Sequence, residues 1–241
     1  MVPKDELPPV LILAGGKGTR LQSVVSDRPK PMAEVAGKPF LEWLVLALKA
    51  QKVQRIVFCT GYMNEAIAAY FGDGSPWGIK IEHSPESQPL GTGGAVRLAL
   101  DLVESEQFFV LNGDSYCRAN LQALIAFHQQ KQAIATLLLA SIEDCRRYGS
   151  VIVDNQGQIQ AFQEKSSEQR SGLVNAGIYV LKRSAIAALP PEQAISLETE
   201  FFPQLINQGL YGTVGTGALL DIGTPESYAT SEQFLASENL L

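Results

Sequence analysis

Cysteine is scarce in this chain of 241 residues: Cys59, Cys117 and Cys145 lie far apart and form no C-x-x-C pair. An odd number at such spacing speaks against a disulfide framework and supplies no zinc-ligand pattern. Histidine is scarcer still. His83 and His128 share no metal or triad spacing, and each reads as a surface or core residue. Neither Ser75 nor Ser115 sits in a G-x-S-x-G elbow, so a serine hydrolase has no nucleophile to offer. Positive charge is also short, with 19 Lys and Arg against 25 Asp and Glu for a net charge of −6. That balance provides no basic face for nucleic acid or anionic lipid, and cations for a phosphate ligand must be gathered locally. No apolar run approaches the roughly 20 residues of a membrane span, and the segment from Met1 to Glu6 lacks the apolar core of a signal peptide. The expectation is a cytoplasmic chain with no membrane or nucleic-acid partner.

What is present is a globular composition, 46% hydrophobic and 18% charged. One segment stands out, Leu11-Ile12-Leu13-Ala14-Gly15-Gly16-Lys17-Gly18-Thr19-Arg20-Leu21, followed by Arg28-Pro29-Lys30-Pro31-Met32. A short apolar run opening into a glycine loop studded with cations brings backbone N–H groups and positive side chains against a polyphosphate. Glycine is needed because a side chain would hold the phosphates away from the amides. The spacing is neither the dinucleotide fingerprint nor the Walker loop. By itself such a loop is as readily a tight strand-to-helix turn. Two prolines stiffening the backbone around Lys30 tip the balance, since an ordinary surface lysine has no use for that rigidity.

These strings resemble the signature of the sugar-1-phosphate nucleotidyltransferases. The resemblance continues through Pro89-Leu90-Gly91-Thr92-Gly93-Gly94-Ala95, Leu111-Asn112-Gly113-Asp114, Arg147-Tyr148-Gly149, Glu164-Lys165, Asn175-Ala176-Gly177-Ile178-Tyr179 and Asp221-Ile222-Gly223-Thr224-Pro225-Glu226. It runs from Val10 to about Phe234. Within the family, the wording around Val24–Asp27, Phe109–Tyr116 and Asp144–Gly149 is most similar to the D-glycero-α-D-manno-heptose 1-phosphate guanylyltransferases.

Strand and helix patterns alternate through the first half. Strands are expected over Val10–Leu13, Arg55–Thr60, Ile79–Glu82, Phe108–Leu111 and Ala135–Ala140; helices are expected over Phe40–Ala50, Glu65–Phe71, Gly94–Val103 and Leu121–Gln130. This is an α/β pattern, a mostly parallel Rossmann-like sheet with helices on both faces and ligands at the carboxyl ends of the strands. In the second half, Val151–Val153 and Gln158–Phe162 flank Asp154-Asn155-Gln156-Gly157, a hairpin signal. A strand over Val174–Leu181 and a helix over Leu197–Asn207 follow, and Thr224 caps a terminal helix running towards Leu235 with Pro225 at its first position. A single domain over residues 1–241 is expected, with a nucleotide part over about 10–140, a mixed β sugar part over about 141–235 and no C-terminal β-helix domain.

Asp114 follows an apolar run, and Asp221 follows Leu219-Leu220. Two strand-end carboxylates, completed by phosphate oxygens and water, make the hard oxygen shell that Mg²⁺ prefers, although one such Asp alone is as readily a cap or turn former. The family resemblance implies that Asp114 and Asp221 are metal ligands for Mg²⁺ and that Arg20, Lys30 and Lys165 complete the catalytic set. Arg20 and Lys30 would grip the triphosphate, and Lys165 the sugar phosphate; alone, Lys165 is an ordinary exposed lysine. The resemblance also implies nucleotide contacts from Leu13, Ala14, Gly15, Gly16, Lys17, Gly18, Thr19, Gln88, Gly91, Thr92, Gly94, Asn112 and Gly113. Sugar contacts would come from Tyr148, Gly149, Glu164, Asn175 and Gly177, with a turn or strand-end role equally open for Asn175 by itself. Where many relatives carry Trp two positions before the second metal Asp, this chain has Leu219, which alters sugar packing there.

The implied partners are a nucleoside triphosphate and a sugar 1-phosphate, with GTP and D-glycero-α-D-manno-heptose 1-phosphate as the expected pair. Mannose 1-phosphate guanylyl transfer and glucose 1-phosphate uridylyl or thymidylyl transfer are the alternatives inside the enzyme class. A catalytically silent binding subunit would have lost some of Arg20, Lys30, Asp114, Lys165 and Asp221, and all five are present. Homo-oligomerisation is left open.

Overall fold

The computed structural model describes residues 6–165, 167 and 169–240, so the leader reading of the first five residues lies outside it. The strands of the first half are β1 (Val10–Ala14), β2 (Glu34–Val35), β3 (Lys38–Pro39), β4 (Arg55–Thr60), β5 (Lys80–Pro85), β6 (Gln107–Asn112) and β7 (Ser115–Cys117). Those that follow are β8 (Ala135–Ile142), β9 (Ser150–Val153), β10 (Ile159–Gln163), β11 (Gly172–Lys182), β12 (Leu210–Val214) and β13 (Leu219–Asp221). Nine of them form one sheet with the path β10-β9-β11-β6-β1-β4-β5, in which β8 also pairs β11 and β12 pairs β8.

The stretch β6-β1-β4-β5 is parallel throughout, as the alternation of strands and helices requires. Its residues alternate between two cores. Val10, Ile12, Ile56, Phe58, Phe109 and Leu111 pack under the helices Phe40–Ala50, Asn64–Phe71 and Leu121–Gln130. Leu11, Val57, Cys59, Phe108 and Val110 pack on the other face against Val96, Ile186, Leu197 and Phe202. Covering both faces explains why these strands read as continuous apolar runs. Each fully buried Leu, Ile or Phe contributes about 1.5–3 kcal/mol, enough to hold the strand register, and the loops at its end, in place.

The second half adds antiparallel ladders. β11 pairs β6 over Ile178–Lys182 and β8 over most of its length, so one strand belongs to both halves. Its ladder with β8 is interrupted between Asn175 and Tyr179, and Gly177 there takes φ +73°. A bulge of this kind bends the strand and re-aims its side chains. The β9-β10 hairpin turns on Asp154, whose Oδ1 accepts N–H groups of Gln156 and Gln158 at 2.8 and 2.9 Å.

Several boundaries differ from the sequence expectation for identifiable reasons. The helix expected over Gly94–Val103 begins at Gly91 and ends as a 3₁₀ turn over Ala99–Leu102. The helix expected over Leu197–Asn207 is a π turn, Leu197–Phe201, followed by Phe202–Gln204. Pro203 lacks an N–H and its ring would strike the Thr199 carbonyl of an α ladder, which the wider turn avoids. The terminal helix is divided at Thr230 into Pro225–Ala229 and Ser231–Ser237. There Thr230 Oγ1 and Ser231 Oγ donate to the carbonyls of Ser227 and Tyr228, competing with the ladder. Thr224 caps as expected, in a box shared with Ser227. All three cysteines are buried free thiols. His128 is fully buried against Thr136, and Trp43 packs with its Nε1–H donating to the Val35 carbonyl at 2.9 Å.

Candidate functional site

Register places the ends of β6, β1, β4 and β5 side by side: Leu13 pairs Asn112, Ala14 pairs Thr60 and Thr60 pairs Pro85. The loops leaving this edge therefore face one another. They enclose a cavity of about 620 Å³ lined by Gly15, Gly16 and Lys17 after β1, Gly61 and Tyr62 after β4, Glu86–Pro89 after β5, Asn112 and Asp114 after β6, and Gly91 and Thr92 at the following helix. A second cavity of about 250 Å³ is lined by Ala14, Gly18, Thr19, Arg20, Lys30, Pro31 and Gly223. The two meet at Leu13, Gly16 and Asp114. A largely apolar chamber thus opens onto a cationic one, with a carboxylate at the junction.

The first loop does not open a helix. Its turns, including Leu21 N–H to the Gly18 carbonyl at 2.9 Å, lead instead to the 3₁₀ turn Lys30–Met32, capped by Pro29 and rooted by buried Pro31 and Met32. Lys30 crosses the loop so closely that a Cβ on Gly18, already at φ +61°, would lie 2.7 Å from the Lys30 Cβ. The stiffened lysine is aimed inward. Its Nζ lies 2.5 Å from Asp114 Oδ2 and 3.8 Å from Asp221 Oδ1, with the lysine side chain 9% exposed. Arg20 is exposed at the rim of the smaller cavity, and Lys17 at that of the larger.

Asp114 and Asp221 are brought together by a two-strand ladder too short to read in sequence. β7 pairs β13 with Ser115 opposite Asp221, and Ile222 N–H donates to the Asp114 carbonyl at 3.0 Å. Gly223 N–H holds Asp221 Oδ1 at 2.6 Å. A Cβ on Gly223 would come within 3.0 Å of Lys30 Nζ, so the segment after Asp221 closes on the same ammonium. Two partly exposed carboxylates converging on one cation fit a small divalent ion that draws its remaining oxygens from substrate and water. Among the described residues no group of three or more His, Cys, Asp or Glu forms an all-protein cage.

Glu86 was not singled out by its motif. Its Oε2 accepts the Leu90 N–H at 3.0 Å, and its Oε1 lies over the glycines opposite: a Cβ on Gly15 or Gly61 would stand 2.9 or 2.5 Å from it. Burial raises its pKa, and the Leu90 amide offsets part of that rise. The sequence signal was a carboxylate two residues before Gln88, inside a stretch whose fold alone turns it into the cavity. Gln88 also lines the cavity but is exposed.

The residues expected around a sugar are more scattered. Tyr148 is half-buried, and its pKa is raised by burial and by the charge of Asp221, with Arg147 and Arg20 opposing. Gly149 packs on the Gln163 carbonyl, 2.8 Å from where its Cβ would be. Glu164 and Lys165 are exposed just beyond β10 and line neither cavity. Asn175 uses Oδ1 to accept the Gly177 N–H and Nδ2 to donate to Tyr179 OH, each at 2.9 Å, so its amide serves the β11 bulge. Gly177 abuts Asn112, whose Nδ2 lies 2.7 Å from the missing Cβ. Two residues expected at the nucleotide stand off the cavity wall. Gly94 is seated on the Gln193 carbonyl and Leu90, and Gly113 donates its N–H to the Leu13 carbonyl at 2.9 Å.

The family model described as nucleotidyl transferase matches residues 9–238. A D-glycero-α-D-manno-heptose 1-phosphate guanylyltransferase of Aneurinibacillus thermoaerophilus is 34% identical, covering 93% of this chain and 97% of its own length. A mannose-1-phosphate guanylyltransferase of Mycobacterium tuberculosis is 37% identical over 90% of this chain, which spans 62% of that relative's length. The crystal structure of HddC from Yersinia pseudotuberculosis complexed with GMP-PN superposes with a TM-score of 0.84 at 35% identity, covering 94% of this chain and 99% of that one.

Proposed function

Because the chain belongs to the nucleotidyl transferase family, we propose that it transfers the guanylyl group of GTP to D-glycero-α-D-manno-heptose 1-phosphate, releasing pyrophosphate and forming a GDP-heptose. The observation that carries the choice of base is the Glu86 carboxylate, turned into the larger cavity with its Oε1 over Gly15 and Gly61. Guanine presents two adjacent donors, N1–H and N2–H₂, which a carboxylate can accept together. Uracil and thymine present one N–H between two carbonyl oxygens, and those oxygens would face the carboxylate unfavourably. The sugar rests on likeness to the Aneurinibacillus enzyme, which this chain matches over nearly the whole of both lengths. Mannose 1-phosphate is the second reading, favoured by the mycobacterial relative.

In this reading the triphosphate runs from the larger cavity into the smaller, past Asp114, so that Lys30 and Arg20 neutralise its oxygens. A phosphate oxygen of the sugar 1-phosphate attacks the α-phosphorus, and the bond to the β-phosphate oxygen breaks with departure of pyrophosphate. That nucleophile is an anion at neutral pH, so no side chain has to remove a proton. Positioning and charge neutralisation supply the rate. Asp114 and Asp221 would hold the Mg²⁺ ion, which when bound offsets phosphate charge at the reacting centre. Lys165 would draw in the sugar phosphate from the open side, and Tyr148 would border it beside Asp221. All five residues on which the chemistry depends are retained, which argues against a silent binding subunit.

Pyrophosphate release measured across a matrix of nucleoside triphosphates and sugar 1-phosphates tests the proposal. The expected maximum is GTP with the heptose 1-phosphate. Faster turnover of UTP or dTTP with glucose 1-phosphate would overturn the base assignment, and faster turnover of mannose 1-phosphate with GTP would move the sugar to the second reading.

A further inference from the structure

Outside the two cavities, one carboxylate draws hydroxyl groups from both sides of the site. Glu198 Oε2 accepts from Thr92 Oγ1 at 2.7 Å and from Ser196 Oγ at 3.1 Å, and Oε1 accepts from Tyr179 OH at 3.1 Å. Thr92 lines the nucleotide cavity. Tyr179 is fully buried in β11 and accepts from Asn175 Nδ2, whose own Oδ1 holds the Gly177 N–H at the bulge. We propose that Glu198 is a positioning residue that locks the Gly91–Thr92 wall of the nucleotide cavity to the Asn175–Gly177 bulge, so that order at one subsite is transmitted to the other.

The hydrogen-bond directions leave the chain of contacts little slack. The Thr92 hydroxyl accepts the Leu197 N–H at 2.7 Å, so its single hydrogen is committed to Glu198. Tyr179 accepts from an amide, so its hydrogen is likewise committed to Glu198. Every donor along the path therefore points towards the carboxylate, and bonds to a charged acceptor are about twice as strong as neutral ones. The segment carrying Glu198 is itself docked on the loop: Ile195 N–H donates to the Leu90 carbonyl at 2.9 Å and the Ile195 carbonyl accepts from Gly93 at 2.7 Å. Gly91 has φ +66°, and a Cβ there would stand 2.6 Å from the Ile195 oxygen, so a side chain would break the docking. A local helix cap would need only Ser196, which already accepts from Thr199 N–H. The reach to Tyr179 exceeds what capping requires. The subsite names rest on the nucleotide-and-sugar reading above; the contact path does not.

The test removes one hydroxyl at each end and reads the effect at the other. Thr92→Val and Tyr179→Phe are compared with Thr92→Ser, which retains the hydroxyl, by initial-rate kinetics with the substrate pair most active in the matrix and by amide hydrogen exchange without substrate. Expected are a rise of about threefold or more in the sugar phosphate KM for Thr92→Val, and of the same order in the triphosphate KM for Tyr179→Phe. Thr92→Ser should leave both KM values near those of the parent protein. Exchange should quicken at Gly177 in the first variant and at Leu197 in the second. Effects confined to the substituted side, with exchange at the far end unchanged, would overturn the proposal. If no substrate pair turns over, the substrate reading has failed and the exchange data alone decide the coupling, far-end acceleration supporting it and its absence refuting it.

Discussion

Asp114 and Asp221 are remote in sequence, yet both face the ammonium of Lys30, at 2.5 and 3.8 Å. Replacing either by Asn keeps size and shape but removes half of the anionic charge available to a divalent cation. Each variant is expected to lose turnover by about a hundredfold or more while melting near the parent temperature. Near-normal rates at saturating Mg²⁺ would sink the metal assignment. In the proposed function Glu86 would act at the same scale on specificity. Glu86→Gln exchanges an acceptor pair for one acceptor and one donor, and an unpaired buried donor or acceptor costs about 1–3 kcal/mol, so GTP preference over UTP is expected to shrink about tenfold. Because burial raises the Glu86 pKa above its ordinary 4.5, acceptance by the ionised form is present at neutral pH and is lost as pH falls through the raised value. The kcat/KM for GTP should accordingly decline on the acid side, at a higher pH than an exposed glutamate would give, in the parent protein and lack that step in Glu86→Gln. An identical acid limb in both would remove Glu86 from the base contact.

At the scale of elements, the long buried strands and the glycine loop were legible because their patterns are local. The apolar runs of β1, β4 and β6 follow from burial on both faces. β7 and β13, three residues each, carry no periodicity to read, and their pairing is a long-range event. The π turn at Leu197–Phe201 was invisible for a different reason: its apolar content fits a helix, and only Pro203 hints that the ladder must widen. The first loop makes a sharper claim. Gly18→Ala asks an L-residue to hold φ +61° with its Cβ against Lys30, which is expected to cost about 1–2 kcal/mol in urea unfolding. If Lys30 instead swings away to relieve the contact, stability will be recovered at the expense of kcat. A variant with unchanged stability and unchanged kcat would show that the loop does not constrain Lys30.

For the whole molecule, β11 decides whether the two halves unfold separately. It pairs β6 of the first half, β8 at the junction and β9 of the second, inside one sheet. Breaking either half exposes the edge of the other, so a single cooperative transition is expected. Trp43 and Trp77 both lie in the first half, which makes tryptophan fluorescence a local reporter and far-ultraviolet circular dichroism a global one. The two should give superimposable denaturation curves. Separate midpoints would show two folding units despite the shared strand.

The amino-acid sequence alone determined the α/β pattern, the cationic glycine loop and the placing of Asp114 and Asp221 after short apolar runs. Each depends on residue type and short-range spacing. Tertiary structure alone decided that Lys30 meets both carboxylates, that Glu86 enters the cavity, and that Asn175 spends its amide on the β11 bulge. It also seated Gly94 on the Gln193 carbonyl and directed the Gly113 N–H to the Leu13 carbonyl. The direction in which a side chain points depends on strand register and on which loop lies opposite, and both are set by pairings between residues far apart along the chain.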